Sequence, residues 1–259
     1  MSNDLLSIGM TFDKWQDAVE AAIATDNLTV TGEVRGGQLI QYTDESGANI
    51  NILAVEPFAT FAGFQSATMT FAHVSMINDV LALCDIVDYN GESITSITCN
   101  LAQGPLLVDE PEQRWQQLGV TALAHNVALH ATESEYLAAN PNGHLGELIS
   151  HGAAIVTEGN GSNIPDASAH FAARVLSAEY LTNTLTSEQF IHVTVDGNFP
   201  FDICLPASVP LPERDVILEA DAVLVGSVVI PQGGGCGGGG GGGGCGGGGC
   251  GGGGCGCGH

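Results

Sequence analysis

Basic residues are scarce in this chain of 259 residues. One lysine, Lys14, and four arginines, Arg35, Arg114, Arg174 and Arg214, face 29 acidic residues, for a formal charge of −24. Nucleic-acid binding draws on clustered cations that displace counterions from phosphates, and these five are widely spaced, so no nucleic-acid partner is expected. An anionic membrane surface is excluded on the same ground. Long apolar runs are missing as well. No stretch approaches the roughly 18 consecutive apolar residues of a membrane span, and residues 1–15 lack the basic-then-apolar order of a signal peptide. A cytoplasmic location follows as the expectation, and a charge this negative favours cationic partners.

Motifs of reactive chemistry are equally absent. There is no Gly-x-Ser-x-Gly elbow, no Gly-Lys-Ser/Thr phosphate loop and no His-Glu-x-x-His pair. Gly159-Asn-Gly161-Ser-Asn163 opens like a dinucleotide fingerprint but lacks the third glycine, so it reads as a loop. Asp85 and Asp88 read as solvated hairpin residues rather than a working carboxylate pair. His144, Glu147 and His151 would share one face if their segment were helical, but Gly143, Gly146 and Gly152 weaken that helix. His125 and His130, five apart on a strand, should face opposite sides. No catalytic residue and no resident cofactor are expected. The chain reads as a non-enzymatic binding or accessory protein with an unidentified protein partner.

What is present divides near Pro231. Of residues 233–258, 21 are glycine and five are cysteine. Such a segment has no side chain able to bury much area, so a flexible Gly/Cys-rich tail is expected over residues 232–259. Cys236, Cys245, Cys250, Cys255, Cys257 and the terminal His259 are its candidate zinc or copper ligands, since thiolate and imidazole suit both metals. The tail also resembles the Gly/Cys core of microcin-type precursors, which implies a substrate of an azole-forming, cysteine-modifying enzyme. Those precursors carry short leaders, whereas some 231 residues precede this core. A third reading is a repeat grown by codon slippage, with no selected chemistry.

The preceding residues read as a mostly antiparallel α+β body in two halves, residues 1–110 and 111–231. Thr11 should cap a helix through Thr25, with Phe12, Trp15, Val19, Ala22 and Ile23 on one side. Strands are expected at 28–34, 38–43, 48–55, 66–75, 80–87 and 93–101, with hairpin turns at Asp44-Glu-Ser-Gly47 and Asn90-Gly91. A loop or edge is expected at 57–63. Residues 112–118 suggest a short helix, 120–131 fit strand or helix, 133–139 suggest a helix stopped by Asn140-Pro141, and 144–150 another turn or two of helix. Strands at 171–181, 189–195, 199–205 and 222–230 complete the reading. Phe71-Ala72 with Cys99, and Phe171-Ala172 with Cys204, echo each other at a similar spacing and suggest a duplicated unit. The body cysteines Cys84, Cys99 and Cys204 sit in apolar runs and read as buried free thiols.

Two stretches, Gln41-Tyr-Thr-Asp-Glu-Ser-Gly-Ala-Asn-Ile50 and Val216-Ile-Leu-Glu-Ala-Asp-Ala-Val-Leu-Val-Gly226, resemble a family of uncharacterised proteins from high-GC bacteria. The resemblance covers about a fifth of the chain. It implies a bacterial, cytoplasmic setting and no activity.

Overall fold

The computed structural model describes residues 3–159 and 163–229. The tail ligands Cys236, Cys245, Cys250, Cys255, Cys257 and His259 therefore lie outside the described residues. The architecture is α+β, with antiparallel pairing dominant. Two short N-terminal helices, α1 (Asn3–Ser7) and α2 (Trp15–Ala24), precede a four-stranded meander. Its strands are β1 (Leu28–Val34), β2 (Gly37–Thr43), β3 (Ala48–Leu53) and β4 (Ala59–Phe64).

The larger sheet holds β5 (Thr70–Met76), β6 (Leu81–Val87), β7 (Ser93–Leu101), β8 (Gln113–His130), β9 (Leu148–Ser150), β10 (Ser168–Thr182), β11 (Gln189–Asp196), β12 (Asp202–Pro206) and β13 (Ile217–Val228). Helices α3 (Gly104–Leu107), α4 (Glu133–Ala139) and α5 (His151–Glu158) are inserted between its strands. The order β11-β12-β8-β5-β6-β7-β13-β10-β9 is supplemented by β10–β11 and β8–β13 pairings. The strands therefore form two closed circuits, β5-β6-β7-β13-β8 and β10-β11-β12-β8-β13, which share β8 and β13.

The same scheme occurs in both circuits. In each, three consecutive strands pair antiparallel, and the first of them pairs antiparallel with the strand that follows the third, β8 or β13. The third strand in turn lies parallel to the long strand of the other circuit. The echo at Cys99 and Cys204 is one residue out of register. Cys99 lies in the main core, whereas Cys204 faces the second core beneath the N-terminal layer. Cys99 and Leu101 of β7 face the main core as Ile203 and Leu205 of β12 do. The boundary at residue 110 falls between α3 and β8, inside one compact unit spanning Met1–Val229.

Several local expectations change. Residues 113–118 are strand rather than helix, because Thr70–Val74 of β5 and Val228 of β13 supply ladder partners to them. Residues 144–150 contain no helix. Leu148–Ser150 instead pairs with β10, and α5 follows at once, its first turn capped by the Ser150 hydroxyl accepting from the Ala153 N–H. Helix α2 starts at Trp15, four residues after Thr11, with Lys14 at its N-cap and no side-chain cap. It buries Ala18 and Ala22, while Ile23 is exposed. Of the two alternatives for 57–63, a loop or an edge, the edge holds: Ala59–Phe64 is β4, an edge strand of the small sheet.

The inner face of the β8–β13 pair carries Leu118, Val120, Ala122, Ala124, Leu218, Ala220, Ala222 and Leu224 into the main core. At one end, its outer face places Leu123 and Val225 under the N-terminal layer, among Leu5, Ile8, Ala18, Ile50 and Phe64. Polar pins reinforce this contact. Ser7 donates to the Ala124 carbonyl at 2.8 Å, Asn183 to the Ile8 carbonyl at 3.0 Å and Thr186 to the Gly9 carbonyl at 2.6 Å.

Asp44, buried in the β2–β3 turn, is the strongest pin. It accepts from the Ser46 amide at 2.9 Å, from the Thr184 amide at 2.9 Å, and from the Ser46, Tyr42 and Thr184 hydroxyls. Burial alone would raise its carboxyl. The hydrogen bonds from Ser46 and Thr184 outweigh burial and hold it below the ordinary carboxylate value. Such a group stabilises the fold at pH above its unfolded value, and the contribution is lost as pH falls through its folded value. Replacing Asp44 by Ala should lower unfolding free energy by about 2–3 kcal/mol at neutral pH, since several donors lose a charged acceptor. Urea titrations of both proteins should converge as the pH falls below the carboxylate range.

Candidate functional site

The outer face of the β8–β13 pair continues past the N-terminal layer onto a polar patch. Strand pairing sets its rows. Asp221 lies between His125 of β8 and His170 of β10, and Glu219 lies between Ala128 and Ala172. Ile217 lies between His130 and Arg174. The two alanines flank Glu219 with little bulk, so longer side chains from neighbouring rows can lean toward its carboxylate.

A bulge puts both β8 histidines on this face. Asp221 pairs with His125, yet Glu219 pairs with Ala128, so β8 carries one residue more than β13 over this interval. Asn126, with φ +52°, takes the left-handed backbone that the extra residue requires. The bulge advances the alternation by one step, and His130 falls on the same side as His125. The expectation of opposite faces assumed an unbroken period of two. An asparagine in an apolar strand was the only sequence signal of the break, since asparagine tolerates positive φ better than most residues.

The side chains form a continuous network. His130 Nε2 is 2.8 Å from Glu219 Oε2, and Asn140 donates to the same oxygen at 3.0 Å. His170 bridges both carboxylates, with Nδ1 3.0 Å from Asp221 Oδ1 and Nε2 3.6 Å from Glu219 Oε1. Asn126 donates to Asp221 Oδ2 at 3.1 Å. His170 first, then Asn126, hold the Asp221 carboxyl below its ordinary value, with the charges of His170 and His125 adding to the effect. The His130 ring packs edge-on to Tyr136, their centroids 5.5 Å apart. Burial first, then Glu219 and Glu147, push the Tyr136 phenol up. His125 Nδ1 is buried and has no hydrogen-bond partner.

Helix α4 and the loop that follows it cover this patch. Thr132 caps α4 by accepting from the Glu135 amide, and Asn140-Pro141 ends it as expected. Between that loop and β10 lies a cavity of about 310 Å³, lined by Tyr136, Asn140, Asn142, His144, Glu147 and His170, with apolar contributions from Ile149 and Ala172. No lysine or arginine lines it. His144 and Glu147 thus reach a common cavity from a loop. His151 starts α5 and is exposed, so the three are not a helical triad.

The other candidates resolve structurally. Asp88 accepts from the amides of Asn90 and Glu92 and so shapes the hairpin turn, while Asp85 accepts from the Ser96 hydroxyl at 2.6 Å. Cys84, Cys99 and Cys204 are buried free thiols. Cys84 and Cys204 are both raised well above the ordinary thiol value. The Cys99 contact followed by burial is the cause at Cys84, and burial followed by the Asp202 charge at Cys204. Among the described residues no group of three or more His, Cys, Asp or Glu side chains is placed to hold a metal ion. No helix among them is long and apolar enough to cross a membrane. No protein-family model matches the chain, and no curated protein or solved structure matches it.

The bulge generates a direct test. Asn126→Gly, which keeps the left-handed backbone accessible, should change stability only slightly. Asn126→Val, β-branched at positive φ, should cost about 1–2 kcal/mol in a urea melt.

Proposed function

We propose that the chain is a non-enzymatic binding protein, with the cavity beside His170 as its recognition site for small cationic or amine-bearing molecules. One observation carries the reading. His144, Glu147 and His170 line the cavity with no lysine or arginine among its lining residues, and His170 and Asn140 tie it to the Asp221 and Glu219 carboxylates beyond its wall. Positive charge entering the cavity meets Glu147 directly, with Glu219 and Asp221 held behind His170. The volume sits at the small end of the range for ligand pockets, about 300–1,000 Å³.

The same network argues for binding over catalysis. Among the described residues, no serine, threonine, cysteine or lysine side chain is hydrogen-bonded to a histidine, the pairing that would mark an activated nucleophile. His130 and His170 are instead engaged with carboxylates. A cytoplasmic setting accords with the three free body thiols.

The tail supplies a second reading, carried by sequence alone: zinc or copper binding through Cys236, Cys245, Cys250, Cys255, Cys257 and His259. Modification of the same cysteines by an azole-forming enzyme is a third, in which each ring would remove one water and two hydrogens from the intact mass.

Calorimetry against a panel of small primary and quaternary amines, with matched carboxylates as controls, tests the cavity. Saturable amine binding, weakened about tenfold in Glu147→Gln, with the amine recovered unchanged, is the expected result. Carboxylate-selective binding, or conversion of the amine, would refute it. For the tail, zinc titration should show uptake by the full chain and none by a chain ending at Gln232. Equal uptake by both removes the tail as the metal site.

A further inference from the structure

A second surface, formed by other strands, presents aromatic rings to solvent. Phe71 on β5 and Trp115 on β8 are 40% and 48% exposed, and Tyr89 in the β6–β7 turn is 84% exposed. Phe71 meets Trp115 edge-on at 6.3 Å between centroids and 70° between planes, and His73 meets it at 5.4 Å and 84°. Gly91, in the same turn as Tyr89, lies against the indole. A Cβ there would sit 3.2 Å from Trp115 Cζ2 and Cη2.

The chain deforms to place this indole. Ala72 pairs with Gln116 and Val74 with Gln113, so β8 carries an extra residue, and Trp115 adopts φ +57°. A left-handed backbone is disfavoured at a bulky residue, and such positions concentrate at functional surfaces. The Trp115 N–H, freed from the ladder, donates to His73 Nδ1 at 3.1 Å. That hydrogen bond fixes the imidazole orientation and leaves Nε2 to carry the proton when the ring is neutral. The indole is therefore held at the surface from both sides, by a backbone bulge and by His73.

Charge around the rings is predominantly acidic. Asp85 is the cross-strand partner of His73, Asp88 and Glu92 belong to the turn that carries Tyr89 and Gly91, and Glu112 precedes the bulge. The one nearby cation, Arg114, is paired with Glu112 at 2.7 Å. With a chain charge of −24, a second copy would be repelled from this face.

We propose that the Phe71–His73–Trp115 surface docks an arginine-bearing segment of a partner protein, with a guanidinium on the indole and Asp85 as its counter-charge. Arginine fits better than lysine, because its planar, weakly hydrated cation stacks on an aromatic face and also donates to a carboxylate. This surface is distinct from the cavity beside His170, so it stands or falls separately from the binding function assigned there.

The full-length chain with Trp15→Phe leaves Trp115 as the sole tryptophan and a direct fluorescence reporter. The probe is a capped pentapeptide, Gly-Arg-Gly-Arg-Gly, with lysine and glutamate versions for comparison. The expected result is a saturable change with the arginine peptide that persists at about 0.5 M salt, where long-range attraction is screened. The lysine peptide should bind more weakly and the glutamate peptide not at all. Calorimetry on Trp115→Leu, which keeps apolar bulk without the ring, should show binding weakened about tenfold, and Asp85→Asn about threefold. Circular dichroism checks that each variant is folded, and Phe71→Leu provides an independent variant if Trp115→Leu is not. Binding that vanishes with salt, or that is unchanged in both ring variants, would show only general attraction to an acidic surface and overturn the proposal. So would no binding of the peptide by the parent chain, or self-association through this face.

Discussion

The antiparallel pairing of β8 with β13 is the constraint on which the rest of the described structure depends. Each strand also pairs with two others along its second edge, β5 then β12 for β8, and β10 then β7 for β13. Removing that pairing would open both five-strand circuits at once. Small residues make the close approach possible: Ala122, Ala124, Ala220 and Ala222 fill the inner face where the circuits meet, beside larger Leu118, Leu218 and Leu224. An interior this tightly filled leaves little room for compensating shifts after a change in volume.

The outer face of the same pair serves two purposes along its length. At one end Leu123 and Val225 are sealed by the N-terminal helices and the small sheet. At the other, the bulge at Asn126 turns the face toward the His125–Asp221–His170 row and the cavity under α4. A second bulge, at Trp115, performs the same service for the aromatic surface. In both places one extra residue in β8 re-aims a side chain that strict alternation would send elsewhere. Both candidate surfaces are thus products of irregularities in a single strand.

Burial accounts for the contrast between the described cysteines and the histidine network. Cys84, Cys99 and Cys204 are fully buried and pack as small hydrophobes, and the Cys84 and Cys204 thiols are raised well above their ordinary value. His130 and His170 sit where strand ends meet a loop, within hydrogen-bond distance of the Glu219 and Asp221 carboxylates. The acidity that argues against nucleic acid also shapes both surfaces, since every cation offered nearby, Arg114 and Arg174, is already paired with a glutamate.

Local patterning determined the α+β class, the strands at 28–34 and 93–101, the Asp44–Gly47 and Asn90-Gly91 turns, and the helix at 133–139 ending at Asn140-Pro141. In each case a turn residue or a period of two or 3.6 acts over a few positions. The tertiary structure alone decided that 113–118 is strand, since its partners lie some 40 and 110 residues away in sequence. It alone decided that both halves contribute strands to one sheet and that Cys99 and Cys204 face different cores. Only the fold could bring His125, His130, His170, Glu219 and Asp221 together, because the register between distant strands, and the bulge that shifts it, are set by packing on both faces rather than by any local run of residues.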